Sequence, residues 1–235
     1  MPFRCLFHIH TRHSYDSLLS PARLLVRARE ANVDVLIVTE HDTLNGAREV
    51  RALANGNPKF VVMAAEYQTE KGDLIGLFLK EEISTHRSVE VIEQVHSQGG
   101  LVVLPHPYRA HQLDEELLVG TDLVEVHNSR CSAEENASAA ALAARLARPT
   151  LGGPDAHCSA ELGGAMNHFA GAVPENESAL REMLLTAPRR IETRATSRTF
   201  GPYSQMIKAV KTRNPRLFVR QMKNFAVTLA GECFQ

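Results

Sequence analysis

Histidines and carboxylates recur along this chain in a pattern that suits a metal site: His8, His10, Asp16, His41, Glu66, His106, Asp155 and His157. Imidazole nitrogens bind zinc, iron or manganese, and carboxylates bridge two such ions. Residues two apart on a strand face the same way, which lets His8 with His10, and Asp155 with His157, each grip one ion from a single strand. A lone histidine reads as a hydrogen-bonded core or surface residue, and His86, His96, His111 and His168 fall in that class. The larger set differs, because burying so many ionisable groups together without a cation leaves unpaired groups that each cost free energy.

These residues sit where predicted strands end. PFRCLFHI, DVLIVTE, KFVVMAAEYQ, DLIGLFL, LVVLPHP, DLVEVHN, RPTLGGPDAH, MNHFAGAV and RRIETR read as strands. Between them PARLLVRAREAN, LNGAREVRALAN, SVEVIEQVHSQGG, SAEENASAAALAARLA and ESALREMLLTA read as helices, the first capped by Ser20-Pro21. The turn Lys71-Gly72-Asp73 makes a hairpin of the third and fourth strands. Repeated βα units imply a mainly parallel α/β sheet, and about seven of them favour a barrel over an open sheet. In a parallel barrel the C-terminal strand ends converge on one face, so a single pocket collects the histidines and acids.

At 235 residues, 44% hydrophobic and 23% charged, the chain suits one main α/β domain and neither a disordered nor a membrane protein. A formal charge of −1 gives no global attraction to nucleic acid or to an anionic membrane. The N-terminus lacks a signal-peptide pattern and no 18-residue apolar stretch follows, so a cytoplasmic location without membrane association is the expectation. Cys5, Cys131, Cys158 and Cys233 form no CxxC pair and read as reduced thiols. From about Ser197 the character changes: Lys208, Lys211, Arg213, Arg216, Arg220 and Lys223 alternate with apolar residues in two amphipathic helices split at Asn214-Pro215. The domain reading is a barrel over 1–196 and a basic helical extension over 197–235 that packs on it, the alternative being a basic surface for substrate, nucleic acid or a partner.

The segments HIHTRHSYDS at 8–17, TEHDTLNG at 39–46, AEYQTEKGDLIG at 65–76, PHPYR at 105–109, VEVHNSR at 124–130 and GGPDAHC at 152–158 resemble, in order, the motifs of the PHP (polymerase and histidinol phosphatase) domain family. The resemblance covers roughly residues 3–195. It implies a distorted seven-stranded (β/α)7 barrel with a C-terminal helical extension, holding two or three divalent ions such as zinc, manganese or iron. It assigns His8, His10, Glu66 and Asp155 to one ion and Asp16, His41 and His157 to another, with Glu66 and His106 beginning a further site. Many members with three ions place a histidine near the end of the strand DLIGLFL, where this chain has Leu77, Phe78 and Leu79. Many also have Asp where this chain has Glu40, a carboxylate that could orient a ligand histidine or a water. Either His127 or Asn128 faces the pocket, since neighbouring side chains alternate, and His127 is kept among the metal candidates.

The chemistry the resemblance implies is phosphoester hydrolysis by a metal-activated water, and the residues suit it. No GxSxG elbow or P-loop is present to suggest another hydrolytic route. Arg109 and Arg130 lie in loops on the ligand face, where a guanidinium grips phosphate. His13 is a candidate general acid and Ser14 a candidate phosphate contact. The favoured substrate is a small phosphorylated metabolite or nucleotide. A metal-dependent nuclease or RNA-processing enzyme is the alternative, followed by a hydrolase of other bonds or a non-catalytic metal-binding module.

Overall fold

The computed structural model describes residues 2–233, and of Cys233 only the backbone. Nine strands form one sheet that curls into a nearly closed barrel: β1 (Phe3–Phe7), β2 (Val35–His41), β3 (Phe60–Thr69), β4 (Gly72–Leu77), β5 (Leu101–Leu104), β6 (Leu123–Asn128), β7 (Thr150–Gly153), β8 (Ala165–Phe169) and β9 (Arg189–Thr193). Their order is β7-β6-β5-β4-β3-β2-β1-β8-β9. Helices α1 (Pro21–Glu30), α2 (Asn45–Ala54), α3 (Ser88–Ser97), α4 (Glu115–Val119), α5 (Ala133–Leu146) and α6 (Glu177–Thr186) connect them, and α7 (Phe200–Lys211) and α8 (Pro215–Cys233) follow. Among the described residues no helix is long and apolar enough to cross a membrane.

Strand alternation sorts the core into layers. Phe3, Cys5, Phe7, Val35, Ile37, Val62, Ala64, Ile75, Leu77, Val103 and Leu151 point inward and fill the barrel. Leu180 and Leu184 of α6 join Phe3, Phe60, Leu101 and Leu123 at the strand starts, so α6 plugs that end and leaves the opposite end for the site. Outward residues such as Leu36 and Val38 pack against Leu24, Ala47 and Val50 of α1 and α2. Tyr67, Val102 and Leu104 pack against α3, α4 and α5 through Val91, Leu117 and Leu142.

The expected barrel with C-terminal helices is present, but its sheet is less parallel than βα repetition suggests. β1–β2, β2–β3, β5–β6 and β6–β7 are parallel, while β3–β4, β4–β5, β1–β8 and β8–β9 are antiparallel. The connection from Thr69 to Gly72 is only Glu70 and Lys71, too short for a parallel crossover, so β4 runs backwards. The short helix α4, capped by the Asp114 side chain on Leu117 N, was not evident in the sequence.

One buried side chain closes the seam between β7 and the β1–β8 pair. The Asn167 amide accepts from Gly152 N at 2.9 Å, donates to Gly152 O at 2.8 Å and donates to Cys5 O at 3.2 Å. It stands in for a stretch of strand, satisfying backbone groups that would otherwise be buried without partners. Asn167→Leu, nearly isosteric but unable to hydrogen-bond, is expected to lower unfolding free energy by about 3 kcal/mol, since each buried backbone group left unpaired costs roughly 1–3 kcal/mol. Chemical denaturation measures it; a loss under about 0.5 kcal/mol would show that the seam is held elsewhere.

Candidate metal centre

The ligand end of the barrel is built by breaks in strand regularity. Inward residues of β1 are Phe3, Cys5 and Phe7, so continued alternation would send His8 and His10 outward. β1 instead stops at Phe7 and His8 adopts a left-handed backbone with φ 64°, which reverses the phase and turns both histidines into the pocket. The shared direction of His8 and His10 thus comes from a turn and not from strand pleating. His10 N donates to Ala156 O at 2.8 Å and Ala156 N to His8 O at 3.2 Å, so a parallel bridge ties the two motif segments together. His106 at φ 28° and Asp155 at φ 49° are also left-handed. Each such backbone costs on the order of 1–3 kcal/mol, and strain of this kind clusters where side chains must be aimed.

Glu66 lies at the centre. Its Oε1 is 3.4 Å from His8 Nε2 and 3.2 Å from His106 Nε2, while its Oε2 is 3.5 Å from His10 Nε2 and 3.1 Å from His41 Nδ1. Asp155 Oδ1 is 3.7 Å from His8 Nε2, 3.5 Å from His10 Nε2 and 3.6 Å from His157 Nδ1. Asp16 Oδ2 is 3.3 Å from His41 Nε2 and 3.1 Å from His157 Nε2. Three groups of donors converge: His8 with His10 and Asp155, His8 with Glu66 and His106, and His10 with His41 and His157.

This donor set fits divalent metal ions. A tetrahedral ion about 2.1 Å from each ligand places its donors about 3.4 Å apart, close to the spacings here. The buried Nε2 atoms of His8 and His10 and the Oδ1 atom of Asp16 have no hydrogen-bond partner, although all three residues are almost wholly buried. Unpartnered polar atoms aimed at one point are what a cation would satisfy.

Supporting groups fix the rings from behind. Glu125, fully buried on β6, accepts from His8 Nδ1 at 2.9 Å, His106 N at 2.9 Å and Asn128 Nδ2 at 3.0 Å. In its neutral form, with the proton on Nδ1 held by Glu125, His8 presents an unprotonated Nε2 to the pocket. Sequence reasoning missed Glu125; the signal available was an acid at an inward position two residues before the doubtful His127-Asn128 pair. A β-bulge between Glu125 and His127 settles that pair by shifting the alternation. Asn128 therefore turns inward, 3.4 Å from Asp155 Oδ2, and His127 lies outside every donor group. Gly153 packs directly on this acid: a Cβ there would lie 2.3 Å from Glu125 Oε1 and 2.6 Å from His8 Cβ.

Glu40 does not touch the donors. It accepts from Thr11 N at 2.9 Å and from the hydroxyls of Thr11 and Ser14, and Ser14 Oγ lies 3.2 Å from His10 Nδ1. It acts on His10 through Ser14, and a Cβ on Gly46 would occupy the space of its carboxylate. Arg109 stands at the mouth, its side chain 45% exposed, with Nη1 3.1 Å from Asp155 Oδ2. Arg130 is buried elsewhere: Nε and Nη2 bind Glu161 Oε1 at 2.9 and 2.7 Å, and Nη1 binds Ser204 at 2.9 Å. Glu161 in turn accepts from His157 N and Cys158 N, so Arg130 braces the Asp155–Cys158 turn and offers no nitrogen to a phosphate. His13 Nε2 is held 2.6 Å from Glu49 on α2.

Because β4 runs antiparallel, Leu77, Phe78 and Leu79 lie toward the opposite end of the barrel, buried among core residues. The residue that β4 brings to the ligand end is Asp73, paired with Gln68 beyond Glu66. Burial and the Glu66 charge push its carboxyl up to about 6.

Burial alone would raise the carboxyls of Glu66, Asp155 and Asp16, but the surrounding imidazoles, with Arg130 for Asp155, outweigh it and hold all three below the usual range. Burial likewise opposes charge on the histidines. For His8 the acids Glu125, Asp155 and Glu66 overcome it, and for His41 Asp16 and Glu66 do, so both are raised. His10 is lowered to about 3 by burial and by His157 and His41, and stays neutral.

Residues 133–185 match the family model described as PHP-associated. The solved structure of a two-domain protein from Bacteroides vulgatus, containing a predicted PHP-like metal-dependent phosphoesterase, superposes with a TM-score of 0.65 at 16% identity, over 78% of this chain and 62% of that one. The fold is that of this PHP-like barrel. An amidohydrolase of Chromobacterium violaceum shares the fold with a TM-score of 0.58 at 15% identity, over 76% of this chain and 95% of its own. An uncharacterized protein of Methanocaldococcus jannaschii is 37% identical over 112 residues, which are 43% of this chain and 66% of the relative. The match thus spans just under two thirds of that relative and of the Bacteroides chain.

Raised imidazoles in this donor cluster would make metal binding a proton-releasing event, since a ligand nitrogen must be unprotonated. Affinity for zinc or manganese is therefore expected to climb with pH through the range where His8 and His41 titrate. Titration calorimetry in buffers of different ionisation enthalpy tests this, and heats that do not vary with the buffer would contradict it. In the metal-free protein these raised imidazoles add stability that is full below about pH 6.5 and lost as pH rises through their folded values. The depressed carboxyls add stability above about pH 4 that is lost as pH falls.

Proposed function

We propose that this PHP-type barrel is a metal-dependent phosphoester hydrolase acting on a small phosphorylated substrate. The observation that carries the reading is the convergence of seven donors, six of them buried, from five chain segments at one end of the barrel, with two histidine nitrogens left unpartnered between carboxylates. His8, His10, Glu66 and Asp155 would hold one ion and Asp16, His41 and His157 a second, with His106 and Asp73 beside Glu66 where a third would lie. Bound divalent ions supply an activated water and neutralise charge on phosphoryl oxygens.

The chain's own residues account for the rest. Glu66 offers one oxygen to each side of the pocket, a bridging position. Glu125 and Asn128 hold the His8 tautomer and the Asp155 carboxylate, and Glu40 orients His10 through Ser14. Arg109 is the cation at the mouth, and it can leave Asp155 for a phosphate oxygen because nearly half of its side chain faces solvent. The nuclease reading is supported by the exposed Arg213, Arg216 and Arg220 near the start of α8, which could track a phosphate backbone.

The test is hydrolysis of p-nitrophenyl phosphate and bis-p-nitrophenyl phosphate with added manganese or zinc. His10→Ala and Asp155→Ala are expected to lower kcat at least about 1,000-fold while leaving the fold intact; metal-loaded protein inert on both esters would sink the reading. Arg109→Ala is expected to raise KM about tenfold with a smaller change in kcat, since it removes a charge-assisted contact worth roughly 1.5–3 kcal/mol. Cleavage of single-stranded RNA in preference to small esters would favour the nuclease.

A further inference from the structure

Lys211, at the end of α7, reaches back across the chain to the loop that carries Asp16. Its ammonium donates to Arg12 O at 2.8 Å, Ser14 O at 2.7 Å and Ser17 O at 2.8 Å, which uses its three protons on three carbonyls of one loop. One turn earlier Lys208 Nζ lies 4.3 Å over the ring of Tyr15, and that ring stacks on His41 at 4.5 Å with an interplanar angle of 9°. Two lysines of α7 therefore bear on the neighbours of Asp16 and His41. Asp16 Oδ2 lies 3.3 Å from His41 Nε2 and 3.1 Å from His157 Nε2, so the two histidines share it.

The loop is held from inside as well. Ser17 Oγ donates to His10 O and His157 O at 2.8 Å, and Thr11 and Ser14 are tied to Glu40. Its outer carbonyls face α7, and Lys211 is what meets them. The helix itself is anchored independently of this contact through Arg130 on Ser204 at 2.9 Å, and Ser197, just before α7, donates to Glu232 of α8 at 2.7 Å. A lysine on a separately anchored helix, with every proton directed at one loop, fixes that loop's position relative to the barrel. Burial pulls the Lys211 ammonium below its usual range, with Asp16 and Glu40 offsetting part of that.

We infer that the C-terminal helices are part of the metal centre: Lys211 is a positioning residue that sets Asp16 against His41 and His157, so that α7 docking and occupancy of that second site favour each other. This rests on the proposed metal-binding reading, and concerns one of its two ions. Coupling of this kind is reciprocal: what Lys211 contributes to metal affinity, the metal contributes to holding α7.

Lys211→Met keeps the aliphatic stem and removes the three donors. Lys211 is exposed and α7 is also held by Arg130 on Ser204, so the variant is expected to fold, which a thermal melt checks alongside. Metal content after desalting and affinity against a chromogenic chelator would be compared for wild type, Lys211→Met and Lys211→Arg, with hydrogen exchange of residues 11–19 and 200–211 with and without zinc. The expected result is an affinity for one ion weakened about 10- to 100-fold, the range seen when groups supporting metal ligands are removed, with the other ion retained. Exchange in 11–19 should be faster in Lys211→Met, partly restored in Lys211→Arg, and zinc should slow exchange in 200–211 only when Lys211 is present. Unchanged affinity for both ions, or equal loss of both, overturns the inference. If the wild type binds no zinc, the proposed function fails, and exchange in 11–19 still decides whether Lys211 orders the loop.

Discussion

The structure turns on a short parallel bridge between residues 8–10 and 155–157, two backbone hydrogen bonds that close the barrel at its ligand end. Without it His8, His10, Asp155 and His157 would belong to opposite margins of a curled sheet. With it they share one pocket, and the strain of left-handed backbone at His8 and Asp155 is held by neighbours on both sides. The Asn167 amide performs the matching task further down the seam, where strands alone do not meet.

Burial of charge is the second constraint, and it explains the layering around the pocket. Carboxylates in a dry interior are stable only when paired and hydrogen-bonded. Glu66, Asp155 and Asp16 are ringed by imidazoles, and two of these, His8 and His10, are fixed from behind by Glu125 and by the Glu40–Ser14 pair. Each supporting acid sits against a glycine, Gly153 for Glu125 and Gly46 for Glu40, because a Cβ at either place would occupy the carboxylate's position. The small residues near the motifs serve the acids behind the ligands as much as any turn.

The arginines show how function and support divide. Arg109 and Arg130 follow their motifs in similar ways, yet one ends half-exposed beside Asp155 and the other is consumed by Glu161 and Ser204. Arg130 acts on the site only by bracing the turn that carries Asp155 and His157. The first loop is divided in the same way, since His13 is engaged by Glu49 while Asp16 faces the histidines.

By itself the sequence determined the positions of the strands and most helices, because their apolar periods and caps are local, and it placed the histidines and acids at strand ends. It could not determine which way those side chains turn. Strand alternation predicts outward His8 and His10 and leaves His127 and Asn128 undecided; a left-handed residue and a β-bulge, each stabilised by contacts from other strands, reverse the phase. The backward run of β4, which exchanges Leu77–Leu79 for Asp73 at the ligand end, and the grip of Lys211 on the Asp16 loop also depend on pairings between distant segments. Local propensity carries no information about such pairings, because their free energy exists only once the barrel has closed.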